Sequence, residues 1–329
     1  MRLPLPTSRM GRTWILLLAA ALALPALGLP SFVLRLGALI FIYGAVVTSF
    51  NLLAGYCGII SVAHAGFFGI GAFTTGLMSV HLHTGLVTGM VAGSLVTGLL
   101  SAGMGYATVR LKGRYLIMAT LGINEVINLV MFNSEFTGGP NGLPGVGAPE
   151  LFGYTFASTT SLYYLNLGGL ALVTGIVALV VHSPLGRAMV ALREDDVAAE
   201  AIGIDTRRTK LLAFTLAGAL AGLAGVFYAH NNQFVSYQTF TTDESFILLA
   251  MLVIGGIGTM PGPIIGVALL LALPEALRGA ALYRYLLYGL ALAVVAPKWP
   301  AGIAGIFFRA RRRERKAHPV LGKPGGEAA

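Results

Sequence analysis

The sequence contains little charge, one cysteine and no nucleotide-binding loop. Only 11% of its 329 residues are charged, and the single cysteine, Cys57, excludes an intramolecular disulfide and a cysteine metal cluster. The six histidines are scattered along the chain and supply no metal-ligand cluster or nucleophile–base pair, which disfavours an enzyme. The one Gly-Lys pair, Gly322–Lys323, precedes proline and completes no G-x-x-x-x-G-K-[ST] phosphate loop. We therefore expect that this chain holds no metal or cofactor and does not hydrolyse ATP itself.

Long apolar runs are what the sequence has instead. Hydrophobic residues make up 56% of the chain, and the mean hydropathy of +0.79 is far above that of an ordinary soluble domain. Several runs approach the roughly 20 residues that a helix needs to cross a hydrocarbon core about 30 Å thick. They are 15–29, 36–50, 86–109 and 213–227. Because lipid offers backbone groups no hydrogen-bond partners, such spans must be helical. The composition predicts an all-α, polytopic integral membrane protein.

The basic residues predict how the spans are oriented, since Lys and Arg accumulate in cytoplasmic loops. They form four clusters: Arg2, Arg9 and Arg12; Arg110, Lys112 and Arg114; Arg187, Arg193, Arg207, Arg208 and Lys210; and the tail from Arg309 to Lys316. With all four in the cytoplasm, the hydropathy divides into ten helices, at 13–29, 32–55, 65–80, 85–109, 115–132, 162–181, 211–230, 245–259, 262–277 and 284–297. Both termini are then cytoplasmic. Broken or re-entrant helices at the glycine-rich turns near Gly58 and Gly262 would lower the count, which gives a range of eight to ten.

This topology divides the chain into three parts. Residues 1–12 form a cytoplasmic N-terminus, residues 13–308 a single transmembrane domain, and residues 309–329 a basic cytoplasmic tail that we expect to be disordered. The first apolar stretch is interpreted as an uncleaved span and not as a secretory signal. The tail motif RARRRERK follows the last predicted span directly, so we interpret it as an anchor to anionic lipid and expect no nucleic acid to bind.

A charged loop at 182–210 interrupts the apolar pattern. Two short helices are predicted in it. The first starts at the Ser183–Pro184 pair, an N-cap followed by a first-turn proline. The second starts at Asp195 or Asp196, because acidic side chains stabilise helix N-termini, and it ends at Gly203 in a left-handed conformation.

The second of these helices has the character of a docking element. Val197, Ala201 and Ile204 are spaced to share one apolar face, and acidic groups precede them in the stretch LREDDVAAEAIG. The alternative is a solvated connector that merely reverses the chain. Two to eight residues commonly suffice for such a connection, so the length and charge of this loop favour docking.

Several segments resemble a known family. VAAEAIG (197–203) is similar to the coupling loop of ABC-importer permeases, whose pattern is Glu-Ala-Ala, three residues, then Gly; Val197 replaces the glutamate. The longer phrase GRAMVALREDDVAAEAIGIDTRRTKLLAF resembles the permeases of branched-chain amino acid ABC importers, particularly their M-type subunit. The agreeing segments are NLLAGYCGIISVAHAGFFGIGAF (51–73), RLKGRYLIMATLGINEV (110–126), TGGPNGL (137–143) and GGIGTMPGPIIGVALL (255–270). Departures are modest, with Ala63 where the family commonly has glycine and Phe73 where it commonly has tyrosine.

The resemblance implies a function and a set of partners. We expect a multi-pass permease of the bacterial inner membrane that imports leucine, isoleucine and valine. We expect it to work with separate ABC ATPase subunits, a second permease in a heterodimer, a soluble or lipid-anchored binding protein and membrane lipid. Urea, short amides and aromatic acids, which similar permeases handle, remain alternative substrates. The implied ATPase-coupling residues are Arg193, Glu194, Asp195, Asp196, Ala198, Ala199, Glu200 and Gly203.

Polar residues inside predicted spans are candidates for the substrate pathway, because they are costly in lipid. Glu125 lies near the middle of the predicted helix 115–132. Thr120, Asn124 and Asn128 recur every four residues on one stripe beside it. The stripe either lines the pathway or fixes helix packing through hydrogen bonds, and the sequence leaves both open.

The segment between Asn51 and His64 is a second pathway candidate. Its glycines could interrupt the helix and expose backbone groups to a cavity, as transporters often do. A buried structural role is the alternative for His64.

The segment TGGPNGL is predicted to lie outside the cell. Three roles are open for it: contact with a binding protein, gating of the outer opening of the substrate pathway, or a plain ordered turn. Its candidate residues are Gly138, Gly139, Asn141 and Gly142.

A secondary transporter driven by an ion gradient is the main competing class. It would also have broken helices and an acid at mid-membrane. The charged docking loop argues against it.

Overall fold

The computed structural model describes residues 30–276 except Lys112 and Phe152, together with Leu22, 24–28, Gly289 and 302–305. The helices are α1 (Ser31–Phe50), α2 (His64–Leu82), α3 (Leu86–Thr108), α4 (Arg114–Asn133), α5 (Thr159–His182), α6 (Pro184–Glu194), α7 (Asp196–Ala201), α8 (Thr206–Asn232), α9 (Thr242–Gly255) and α10 (Gly262–Ala276). Four two-residue strands are β1 (Leu143–Pro144), β2 (Glu150–Leu151), β3 (Tyr154–Thr155) and β4 (Phe234–Val235).

The helices follow the apolar runs that the sequence predicts. Among the described residues, six helical segments are long and apolar enough to cross a membrane, namely Ser31–Tyr56, His64–Leu82, Leu86–Thr108, Arg114–Asn133, Thr159–His182 and Thr206–Asn232. The prediction of a mainly helical, polytopic membrane protein is therefore confirmed. The predicted helix 284–297 lies almost wholly outside the described residues, and of the predicted helix 13–29 only Leu22 and 24–28 are described. The two terminal segments 1–12 and 309–329 lie wholly outside them.

Helix α9 has 14 residues, or about 21 Å at 1.5 Å per residue, against a hydrocarbon core of about 30 Å. The described part of α10 has 15 residues. A turn at 256–261 joins the two helices, with Gly256 and Gly258 both at positive φ. The predicted helices 245–259 and 262–277 thus correspond to α9 and to the described part of α10.

Small residues let α8 pack closely against α2 and α3. A methyl group on Gly222 would overlap the side chain of Thr97 in α3, and one on Gly218 would overlap Ser101. On the other side, a methyl group on Gly71 in α2 would overlap the backbone of Gly222. Close backbone approach of this kind is the main source of helix association in lipid, where no hydrophobic effect drives it.

The helix that begins as α1 changes character before it ends. It continues as a π-helix over Asn51–Tyr56, after which residues 57–63 turn and α2 begins. Gly58 lies in this turn at φ +77°, a conformation that favours glycine. The sequence analysis raised a broken helix near Gly58 as an alternative, and the structure has a π-helical segment and a turn there.

The bundle has two distinct ends. One end, the loop end, carries residues 57–63, 109–113 and 183–205. The opposite end, the cap end, carries residues 83–85, 134–158 and 233–241, and there β1 pairs with β4 and β2 with β3 in antiparallel fashion. The sequence analysis missed these strands, because a two-residue strand has too little periodicity to be recognised.

Candidate translocation and coupling site

The capping residues predicted in the charged loop take those roles in the structure. Ser183 caps α6, with its side chain accepting a hydrogen bond from the Gly186 N–H, and Pro184 takes the first position. Asp195 caps α7 by accepting from the N–H groups of Val197 and Ala198, at 2.8 and 3.1 Å. These two caps fix where the loop turns between helices.

The end of α7 is a Schellman motif. Gly203 has φ +86°, its N–H donates to the Glu200 carbonyl at 3.0 Å, and the Ile204 N–H donates to the Ala199 carbonyl at 3.1 Å. The predicted left-handed glycine is confirmed at Gly203.

The outer face of α7 is exposed and largely apolar. Val197 is 72% exposed and Ile202 is 75% exposed. Ala198, Glu200 and Ala201 are also exposed. Two bulky apolar side chains held in water beside acidic groups have the composition of a docking surface.

Two residues face the other way and correct the sequence analysis. Ala199, a coupling residue implied by the resemblance, does not offer its side chain to a partner, because the residue is 2% exposed and belongs to the chain's own core. Ile204, expected on the outer face with Val197 and Ala201, is only partly exposed and packs against the same core. The reason is the chain reversal at Gly203, which turns Ile204 out of the helical spacing used for the prediction.

Asp196 and Arg193 tie the loop to the bundle. The Lys210 Nζ lies 2.7 Å from the Asp196 Oδ2, with the lysine side chain 13% exposed, so α7 is held against the start of α8. Arg193 Nη1 donates to the Gly55 carbonyl at 2.5 Å, at the last turn of the π-helical segment. Glu194 is exposed beside them.

Asn51 joins the π-helical segment to the α9–α10 turn. Its Nδ2 donates to the Thr259 carbonyl and its Oδ1 accepts from the Gly258 N–H, both at 2.8 Å. The side chain is fully buried. With both ends of its amide, Asn51 therefore links two segments that lie more than 200 residues apart in sequence.

A hydrogen-bonded chain crosses from α2 through α4 to α9. The Gly66 N–H donates to Asn124 Oδ1 at 2.8 Å, and Asn124 Nδ2 donates to Thr242 Oγ1 at 3.1 Å. Thr242 in turn donates to Glu125 Oε1. Thr120 makes a parallel contact by accepting from the Val62 N–H at 3.0 Å. Thr120 and Asn124 are buried, so for them the structure favours the packing alternative over an open pathway lining.

Glu125 differs from its neighbours because its residue is exposed. It lies about 16 Å along a helix about 30 Å long, close to the middle of α4. The surrounding exposed face is apolar, with Met118 at 65%, Val126 at 59% and Leu129 at 56%. Asn128, one turn further on, donates to the Tyr237 carbonyl at 3.0 Å.

His64 is a packed residue at the start of α2. It is fully buried, its Nε2 lies 2.9 Å from Ser49 Oγ, and its ring stacks on Phe50 at 4.6 Å between centroids. This arrangement corresponds to the structural alternative of the sequence analysis.

The glycine-rich loop at the cap end is an ordered turn. Gly138, Gly139 and Gly142 all have positive φ, and Asn141 is exposed in a short 3-10 helix. The loop leads directly into β1, which pairs Leu143 with Val235. Its backbone is also held to α2, since the Gly147 N–H donates to Ser79 Oγ at 2.9 Å.

The comparisons with known proteins agree with the resemblance. A family model described as branched-chain amino acid transport system, permease component, matches residues 32–296. This chain belongs to that family. The permease is 33% identical to the high-affinity branched-chain amino acid transport system permease protein LivM of Escherichia coli strain K12 over 290 residues, 80% of this chain and 68% of LivM.

Two further relatives are less similar in sequence. LivH of the same strain, a permease protein with the same system name, is 25% identical over 80% of this permease and 91% of LivH. LsrC of Klebsiella pneumoniae, named an autoinducer 2 import system permease protein, is 28% identical over 55% of this permease and 49% of LsrC. No solved structure matches the permease. Family membership and multiple apolar helices make it a multi-pass inner-membrane transport component.

Several residues of the site escaped the sequence analysis. Thr242 and Ser245, the latter accepting a hydrogen bond from the Ala65 N–H at 3.1 Å, are examples. Both lie in the stretch TTDES at 241–245, a polar run at the start of a predicted span. Gly55 and Gly258 give no such signal, because one glycine among 44 cannot be distinguished by type.

Proposed function

We propose that this chain is a transmembrane permease subunit of an ATP-driven importer of branched-chain amino acids. Its family and its 33% identity to LivM support the substrate class. The observation that carries the coupling role is α7, a rigidly capped helix that holds Val197 and Ile202 exposed outside the bundle. A separate ATPase subunit docks on this surface and drives the membrane helices.

The topology follows from this assignment. The loop end is cytoplasmic, the cap end faces the binding protein, and ten crossings place both termini in the cytoplasm. With the exception of Arg35 near the start of α1, the described basic residues support the orientation. Arg110, Arg114, Arg187 and the basic residues of 193–210 all belong to the loop end, whereas the loop at 134–158 contains no Lys or Arg.

The exposed face of α4 supports a second permease and a pathway between the two. A carboxylate at the middle of a helix that faced lipid would cost about 2.5–3.5 kcal/mol by insertion scales. Glu125 is exposed on this face, so the face is turned toward a water-filled pathway shared with a partner permease. LivM and LivH carry the name of one system, and resemblance to both supports a heterodimer.

Uptake in cells tests this function. A strain that lacks the chain should lose high-affinity leucine uptake and regain it when the chain is restored, with isoleucine and valine competing. Uptake should persist with an uncoupler when ATP is maintained. Loss of uptake with the uncoupler alone would favour the ion-gradient class, and competition by urea, short amides or aromatic acids in place of valine would change the substrate.

A further inference from the structure

Arg193 is an exposed residue whose side chain nevertheless reaches into a junction of three segments. The first segment is the end of the π-helix, where the Gly55 carbonyl accepts from Arg193 Nη1 at 2.5 Å. The second is the turn after it, where a methyl group on Gly58 would lie 3.1 Å from Arg193 Cγ. The third is the α9–α10 turn, where a methyl group on Gly258 would lie 2.5 Å from Arg193 Nη1. The Arg193 stem therefore packs on Gly58, and its guanidinium occupies the place that a side chain at position 258 would take.

The junction is closed on its other side by Asn51. Asn51 accepts from the Gly258 N–H and donates to the Thr259 carbonyl, and a methyl group on Gly55 would overlap the Asn51 side chain. The π-helical segment and the α9–α10 turn are thus locked to each other, and Arg193 is the group that ties both to the cytoplasmic loop. The last carbonyls of a helix lack intrahelical donors and carry partial negative charge, so a guanidinium suits this position.

Arg193 is also close in sequence to the docking helix α7. Only Glu194 separates it from Asp195, the N-cap of α7. At this same end α7 is fixed to α8 through Asp196 and Lys210. A displacement of the N-terminal end of α7 by a partner therefore reaches Arg193 through two intervening residues.

We propose that Arg193 is a positioning residue that transmits movement of the docking helix α7 to the π-helical segment and the α9–α10 turn. This inference rests on the coupling role proposed above and assigns Arg193 to the membrane side of the coupling loop, not to the ATPase contact. The two helix ends that it holds lie at the loop end of the bundle, so in this proposal movement of α7 displaces the ends of membrane helices there.

The single cysteine is a reporter for this junction. Cys57 directly follows the π-helical segment and is 3% exposed. In the assembled complex, its reaction with a small maleimide can be followed at the peptide level by mass spectrometry, with and without ATP under non-hydrolysing conditions. The wild-type complex should show a nucleotide-dependent change in the labelling rate.

Arg193→Gln removes the charged donor, and Arg187→Gln is the matched control. Arg187 lies on the same helix and also donates to a main-chain carbonyl, that of His182 at 3.4 Å, but it is not part of the junction. We expect Arg193→Gln to keep the ATPase in the purified complex, lose the nucleotide-dependent labelling change and lower uptake about tenfold or more, because hydrogen bonds from charged donors are the stronger ones. Arg187→Gln should keep both readouts. Arg193→Lys should recover part of each, since an ammonium reaches one carbonyl but lacks the planar fork.

The outcomes separate the possible failures. Wild-type labelling behaviour in a folded Arg193→Gln complex overturns the inference, and so does loss of the ATPase from that complex, which would make Arg193 a docking residue. If Arg193→Gln does not accumulate in the membrane, Arg193→Lys carries the same test. If the wild-type complex itself shows no ATP-dependent uptake, the proposed function fails, whatever the variants do.

Discussion

The outer face of α7 gives the most direct structural test of docking. Val197 and Ile202 are 72% and 75% exposed in the isolated chain. Full burial of such a side chain contributes about 1.5–3 kcal/mol, so burying the exposed part against an ATPase contributes about 1–2 kcal/mol for each residue. Replacing either by Asp removes this contribution, and we expect the affinity for the ATPase to fall about 5- to 30-fold for each change.

The assay is a titration of the purified permease complex with its ATPase subunit, each variant being compared with the wild type. Because both side chains project from the bundle, the amount of permease in the membrane should stay normal. Ala199→Arg is the contrasting control: its position is 2% exposed, so this change should lower the amount of folded permease by overpacking. Unchanged ATPase affinity in both Val197→Asp and Ile202→Asp would refute docking through this face.

Three further predictions concern other parts of the molecule. Glu125→Gln keeps size and the hydrogen bond from Thr242 but removes charge; uptake should fall while the complex assembles normally, and unchanged uptake kinetics would assign Glu125 to packing. Gly222→Val should prevent accumulation of the folded permease, because even a methyl group would overlap Thr97; normal yield and melting temperature would contradict the close contact. Gly203→Val should weaken ATPase binding through backbone strain of about 1–3 kcal/mol, since φ is +86° and nothing lies within 4 Å of an added Cβ; a normal binding titration would contradict the strain argument.

The sequence predicted those features that depend on near neighbours. The apolar runs located the helices, and Ser183, Asp195 and Gly203 took their predicted roles because capping involves only residues a few positions away. The glycines around position 58 had likewise marked this segment as a place where a helix could break.

Features that depend on distant segments could not be predicted. Asn124 contacts Gly66 and Thr242, which are 58 and 118 residues away, so only the folded chain reveals that its amide is used for packing. The inward orientation of Ala199 has the same origin, because helical periodicity identifies a face without telling which neighbour covers it. A single sequence contains no information on that neighbour.

Reconstituted transport tests the central claim most directly. The permease, its partner permease and the ATPase are placed in proteoliposomes with a loaded binding protein and radiolabelled leucine on the side of the cap end, and ATP on the side of the loop end. Leucine should accumulate only with ATP, and an ATPase variant that cannot hydrolyse ATP should abolish it. Leucine accumulation that depends on an imposed ion gradient and is indifferent to ATP would contradict the account.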